Sequence, residues 1–307
     1  MIDREHRQAW LKRRLQLEAL LKTKQVRHTP QGTRPESSLG KMLSIVDWVF
    51  ERAGPTARGR GNARSLHLTE QEFRFADLPP AFDGYTILFM SDFHVGELPE
   101  NLHRGQALVS GLRYDMAVLG GDYQTDGQPS SAKVTELLAP LLAELRPPDG
   151  VFGILGNHDS HKMVEPLEAL GLRLLLNESV EIVRGDQSIH LVGCDDVHIF
   201  YDHAARQALR QGGGFRVAVV HSPEFAQEAA DSGCALYLAG HTHGGQICLP
   251  GGRPVITSLD RNHRLARGAW RLRGMQGYTS TGFGSGVPTM RFNCPPEVTL
   301  ITLRRFP

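Results

Sequence analysis

YTILFMSDFH (85–94) is the stretch from which the rest of this chain can be read. A largely apolar run leads straight into Ser91, Asp92 and His94, as a strand buried on both faces does when it ends at a polar site. The same order of text recurs four more times. MAVLGGDY (116–123) brings Asp122, and VFGILGNHD (151–159) ends on Asn157, His158 and Asp159. RVAVVHSP (216–223) brings His221, and ALYLAGHTHGG (235–245) brings His241 and His243. Open α/β sheets bind their ligands beyond the carboxyl ends of their strands, so five such ends can converge on one place.

Working outward, strands are predicted over 67–75, 85–91, 115–120, 151–155, 188–194, 215–221, 235–240, 255–259, 277–282 and 297–304. Helices are predicted near 101–112, 131–145, 162–170, 203–211 and 223–232. Ser130 and Ser131 are candidate caps for the second helix, and Pro140 should kink it. Gly171 and Gly233 stand where helices end. The outcome is an α/β domain, most simply two packed sheets flanked by helices.

The residue types at the strand ends suit a metal pair. Two divalent cations about 3.5–4 Å apart can clamp a phosphate and acidify a bound water. Holding them side by side needs an anionic bridge, and Asp122 is the candidate. Asp92, His94, Asn157, His221, His241 and His243 supply the mixed oxygen and imidazole donors such a pair requires. The spacing of His241 and His243 puts both on one face at a strand end, each within reach of a different metal.

The series DxH, GD, GNHD, H and GHTH, in this order, resembles the calcineurin-like metallophosphoesterase superfamily. With GHTHGGQICLP (240–250) and the ending GYTSTGFGSGVPTMRFNCPPEVTLITLRR (277–305), it is similar to the bacterial YkuE/YaeI-type phosphodiesterase branch. The resemblance covers about residues 85–305. It implies a four-layer sandwich of two facing mixed β-sheets flanked by helices. It also implies that Asp92, His94, Asp122 and His243 hold one metal, and Asp122, Asn157, His221 and His241 the other. By the same resemblance His158 is a non-ligand histidine that stabilises phosphoryl charge and protonates the leaving oxygen, and Asp159 orients it. The chain departs from the family pattern once: Thr125 stands where many members have the last Asp of GDxxD, and Asp126 follows it.

Other features are read more plainly. His161 and His198 lie close enough in sequence to the motifs to approach a substrate, and Asp195–Asp196 read as a turn built on Asx side chains. GFGSGVP (282–288) lacks the Lys-Ser/Thr of a phosphate loop, so it reads as a tight turn near the metals.

Residues 1–65 are set apart as an extension to the catalytic domain, 66–307. Within residues 1–34 stand nine Lys/Arg against three acids, although the whole chain has a formal net charge of only +1. Residues 4–24 read as an amphipathic basic helix with Trp10, Leu11, Leu15, Leu17, Leu20 and Leu21 on its apolar side. Residues 28–40 read as a linker, Met42–Phe50 as a second amphipathic stretch, and 51–64 as irregular. The basic segment 4–27 either attaches to an anionic membrane surface or packs on the domain with its charges in water.

The near-neutral charge predicts no specific nucleic-acid partner. Cys194, Cys234, Cys248 and Cys294 have no framework spacing and read as reduced thiols of a cytoplasmic protein, peripheral on the inner membrane face if the basic helix attaches there. The expected function is hydrolysis of a phosphodiester or phosphomonoester by metal-activated water. The metals are two divalent ions, Mn²⁺ ahead of Fe²⁺ or Zn²⁺. The competing expectations are a membrane-surface hydrolase of a lipid-linked pyrophosphate, such as UDP-2,3-diacylglucosamine, and a non-catalytic metal-bound scaffold.

Overall fold

The computed structural model of the chain describes residues 3–35, 56–125 and 129–306. β4 (Thr86–Met90) shows how its layers arise. Ile87 and Phe89 point one way and Leu88 and Met90 the other, all fully buried, because successive side chains of a strand alternate across the sheet. β5 (Met116–Leu119) repeats the division, with Met116 and Val118 on one side and Ala117 and Leu119 on the other. A strand buried on both sides needs a layer on each, and the chain supplies both.

The first sheet has six strands in the order β3 (His67–Phe75), β14 (Glu297–Arg305), β4, β5, β6 (Val151–Gly153) and β7 (Arg173–Leu174). Only the β14–β4 pair is antiparallel. The second sheet also has six, in the order β12 (Gly268–Leu272), β13 (Met275–Thr279), β11 (Leu236–Ala239), β10 (Arg216–Val219), β9 (Gln187–Gly193) and β8 (Glu178–Arg184). Its edge strands β12 and β8 run antiparallel to their neighbours, and the inner pairs are parallel. Ile87, Phe89, Val118, Leu191, Val217 and Leu238 belong to one apolar core between the sheets.

Helices α3 (Glu100–Val109), α4 (Ser131–Glu144) and α5 (Val164–Ala169) cover the outer face of the first sheet through Leu102, Leu138 and Leu167. Helices α6 (His203–Ala208) and α7 (Ala226–Asp231) cover the second with small residues, Ala205, Ala208 and Ala229. The fold is the expected α/β sandwich of two mixed sheets flanked by helices, with a helix at its N-terminus.

Several local expectations are corrected. Residues 255–259 form no strand: Ser258 takes φ 56°, outside the extended region, and the segment wraps the mouth of the site. β7, β8 and β12 lie outside the expected strands: β7 is only two residues long, and Glu178, Glu181 and Arg271 break the apolar pattern of the other two. The Ser130 side chain makes no capping bond at the start of α4, a helix that contains Pro140. Part of the linker is a hairpin, β1 (Val26–Thr29) and β2 (Gly32–Pro35), and part of the irregular stretch is helix α2 (Thr56–Ala63). The Met42–Phe50 stretch and Asp126 lie outside the described residues.

Helix α1 (Arg4–Lys24) begins at an Asp3 cap whose carboxylate accepts from Glu5 N at 3.0 Å and His6 N at 3.3 Å. Its buried residues are Trp10, Arg14 and Leu17, while Leu11 and Leu15 are 38% and 44% exposed. Of the apolar side assigned from sequence, Trp10 and Leu17 are buried against the domain, and the third buried position is an arginine. None of the helices among the described residues is long and apolar enough to cross a membrane. All four cysteines are free and buried.

Candidate metal centre

The loops after β4, β5, β6, β10 and β11 meet at one edge where the two sheets face each other. Tight exits from these strands bend the backbone sharply. Asp92 (φ 57°), His94 (42°), Asp122 (55°), His241 (71°) and His243 (50°) all occupy the left-handed region. Each such non-glycine residue costs on the order of 1 kcal/mol or more, so five together mark a place where packing enforces a required geometry.

Two groups of donors result. Asp92, His94 and His243 form one, and Asp122, His221 and His241 the other, with the donor atoms of each group within 4.8 Å of one another. Asp122 stands between the groups: its Oδ2 lies 3.7 Å from His94 Nε2 and 3.0 Å from His221 Nε2. Asn157 joins the second group through Oδ1, 2.7 Å from His241 Nδ1. All seven residues expected as ligands are thus brought together.

The chemistry of this donor set calls for cations. His221 Nδ1 bonds Gly120 O at 2.7 Å, which leaves Nε2 as a lone pair aimed at the Asp122 carboxylate. Asp92 Oδ2 is buried without a hydrogen-bond partner. His94 Nε2 and His243 Nε2 face each other at 3.1 Å. In the metal-free chain a proton serves instead: although burial opposes it, Asp122 and Asp92 push His221 up to about 10. Burial, with Asp122, pushes Asp92 up to about 6. Burial and neighbouring cations hold His241 and His243 well below the usual imidazole range, neutral as ligands must be. The residues present fit a divalent pair.

Surrounding contacts fix the donors. Thr125 Oγ1 lies 2.9 Å from His94 Nδ1, so the residue that departs from the family pattern orients a donor imidazole. The glycine-rich turn crosses close by, as expected: Phe283 N bonds Ser91 O at 2.8 Å and Gly284 N bonds Asp92 O at 2.7 Å. A Cβ on Gly284 would stand 2.1 Å from Phe93 O, so only glycine fits. Arg291, fully buried, ties this turn to the His243 loop through Gly284 O at 2.5 Å, Thr281 O at 2.7 Å and His243 O at 3.4 Å.

His158 sits outside both donor groups. Its half-buried ring lies 5.5 Å from that of His94 and lines the cleft, and its N–H bonds Asp122 Oδ1 at 2.9 Å. Asp159 departs from expectation. Its carboxylate accepts from Asp122 N, Tyr123 N and Gly156 N, each at 2.8 Å, and from Gln124 N at 3.3 Å. It therefore orders the backbone of the loops that carry Asp122 and Asn157.

His198 is part of the site wall, its ring 4.3 Å from that of His241 and its Nδ1 2.7 Å from Glu224 Oε2. His161 instead bonds Glu18 of α1. Asp196 forms the expected turn, accepting from His198 N, Ile199 N and Phe200 N.

Arg14, Arg27, Glu224 and Arg291 carry no sequence signal as parts of the site, and Thr125 stands out only as the departure from the family pattern. Arg and Glu are ordinary surface residues by default, and no local spacing marks these as buried. The cleft above the donors has a volume of about 1840 Å³, with Arg27, Arg264, Ile256, Leu259 and Val287 among its walls.

A family model described as calcineurin-like phosphoesterase matches residues 85–245, which include every donor. The phosphodiesterase YaeI of Escherichia coli (strain K12) is 30% identical over 230 residues, 71% of this chain and 82% of that protein. The uncharacterized metallophosphoesterase YkuE of Bacillus subtilis is 29% identical over 262 residues, 80% of this chain and 90% of its own. An uncharacterized metallophosphoesterase of Aquifex aeolicus is 30% identical over 234 residues, covering 71% and 84%. By the span of the family match and the reach of these similarities, the chain belongs to the calcineurin-like phosphoesterase family and is a metal-dependent phosphoester hydrolase.

Proposed function

We propose that the chain hydrolyses a phosphodiester or phosphomonoester at a pair of divalent ions, with Mn²⁺ the best match to its oxygen and imidazole donors. The observation that carries this reading is the Asp122 carboxylate, with Oδ2 within 4 Å of a donor nitrogen from each group. Asp92, His94, Asp122 and His243 would hold one ion, and Asp122, Asn157, His221 and His241 the other. Such a pair, when bound, supplies Lewis-acid stabilisation of the phosphoryl oxygens and an acidified water.

The remaining chemistry belongs to the chain. His158 reaches the cleft from a backbone held by Asp122 Oδ1, and by Gln124 Nε2 donating to its carbonyl at 2.8 Å. From there its imidazole stabilises charge on the phosphoryl group and gives a proton to the departing oxygen. Thr125 and Gly120 O hold the rings of His94 and His221 in their donor orientations.

A second reading is favoured by the cleft wall. Val255 and Val287 are 59% and 45% exposed there, beside Ile247, Ile256 and Leu259 and close to Arg253 and Arg264. Aliphatic wall with cationic residues suits a lipid-linked pyrophosphate presented at a membrane surface. The exposed Leu11 and Leu15 of α1, beside Lys12, offer that surface a contact.

The test is a hydrolysis panel with Mn²⁺ on monoester, diester, cyclic nucleotide and UDP-lipid substrates, repeated with Asp122→Ala. The wild type should turn over at least one ester and carry two metals per chain, and the variant should lose both properties. A variant retaining two metals and normal turnover would sink the bridging assignment.

A further inference from the structure

We infer that helix α1 belongs to the catalytic apparatus, with Arg14 a positioning residue that fixes the Asn157–Asp159 turn and, through it, Asp122 and His158. The inference rests on the phosphoester-hydrolase reading of the site. Residue 14 lies far outside the region matched by the family model.

Arg14 brings a full charge into a spot where it is 1% exposed, and an unpaired charge there would be prohibitive. Its guanidinium donates to Asp195 Oδ1 at 2.5 Å and to Glu18 Oε1 at 3.1 Å, and lies 3.7 Å over the Phe200 ring. These three contacts would be enough to seat the helix. A fourth goes further in: Nη2 donates to the backbone carbonyl of Asp159 at 2.5 Å. Asp159 is the junction whose carboxylate gathers the amides of Asp122, Tyr123, Gln124 and Gly156.

One turn along α1, Glu18 holds the chain two residues beyond Asp159, accepting from His161 N at 2.9 Å and meeting His161 Nδ1 at 2.7 Å. Two residues on one helix face therefore bracket 159–161 from outside the sandwich.

Docking of the helix has separate supports. Arg7 pairs with Glu168 and Glu178, each at 3.0 Å, and donates to Leu174 O at 2.5 Å. His6 Nε2 lies 2.7 Å from Leu176 O, and Trp10 Nε1 donates to Asp195 Oδ2 at 2.7 Å. Attachment and positioning can thus be separated by substitution.

The variants are Arg14→Lys, Glu18→Gln and the docking control Arg7→Ala. A lysine keeps the charge beside Asp195, but its single ammonium lacks the fork that spans Asp195 and the Asp159 carbonyl. Amide hydrogen exchange is followed on metal-free protein over 120–125 and 156–161. In parallel, kcat and KM are measured with Mn²⁺ on a nitrophenyl phosphodiester.

Arg14→Lys should speed exchange in both segments and lower kcat by about 10–100-fold, with KM nearly unchanged. Glu18→Gln should show a smaller rise confined to 159–161, and it serves if the lysine variant does not fold. Arg7→Ala should lower the thermal midpoint without moving exchange in those segments or kcat. Unchanged exchange at 120–125 and 156–161 in Arg14→Lys, or an equal effect from Arg7→Ala, overturns the inference. If the wild type hydrolyses nothing in the panel, the functional reading fails, while the exchange arm still decides whether Arg14 orders the turn.

Discussion

His158 and His221 are both histidines beside the same carboxylate, and their surroundings give them different work. His221 is wholly buried with Nδ1 on a backbone carbonyl, so only Nε2 is available, and it faces Asp122. His158 is half-buried and open to the cleft. His158→Ala should keep two metals and lower kcat by about 10²–10⁴ on substrates with a basic leaving group. A nitrophenyl ester should recover part of the loss, because nitrophenolate leaves without a proton. Equal losses on both esters would remove the general-acid role. For His221 the sign follows from its elevated pKa of about 10: the metal-free site is protonated at neutral pH, and a ligand must shed that proton. Metal affinity should therefore rise with pH toward that value. Mn²⁺ titration at pH 8 should release about one proton more from the wild type than from His221→Asn, seen calorimetrically as heat that varies with the buffer's ionisation enthalpy. Equal release from the two proteins would contradict the assignment.

Among elements, the turn 282–288 and helix α1 were legible to different depths. Gly284 declares itself, since its N–H bonds Asp92 O and a Cβ there would run into Phe93 O. Gly284→Ala should cost about 1–3 kcal/mol by overpacking, read from chemical denaturation, and should lower metal content because the Asp92–His94 loop must shift. Wild-type stability and full metal loading in this variant would show the crossing to be loose. For α1, hydropathy named six apolar residues, yet the buried stripe is Trp10, Arg14 and Leu17. Leu11 and Leu15 remain largely outside. An arginine enters the interior because Asp195, 181 residues away in sequence, meets it there. No periodicity within the helix contains that information.

For the whole molecule, the extension is joined to both helical and sheet layers. β1 continues the attachment: His28 N bonds Ile199 O at 2.7 Å, and Tyr201 N bonds His28 O at 2.9 Å. Arg27 adds a two-pronged contact to Asp260, at 2.9 and 3.0 Å, at the cleft wall. Removing residues 1–35 should therefore destabilise the catalytic domain rather than free it. Stranding one buried charge such as Asp195 costs about 3–5 kcal/mol. At about 2–4 °C per kcal/mol for a chain of this size, the midpoint should fall by roughly 6–20 °C in a thermal melt. A truncated protein melting at the full-length temperature would return the segment to the status of an appendage.

Sequence alone determined the α/β class, the order of the site-forming strands and the seven residues that the strand ends bring together. Each of these is local: a short apolar run sets the strand, and the polar residues directly after it must emerge at the strand's end. Only the tertiary structure decided which distant groups share a burial site. Asp159 holds backbone amides, Thr125 holds His94, and Arg14 and Arg291 carry guanidinium groups into the interior. The reason is physical. The location of a charged side chain depends on a partner across the fold, and neither composition nor spacing brings that partner close before the chain has folded.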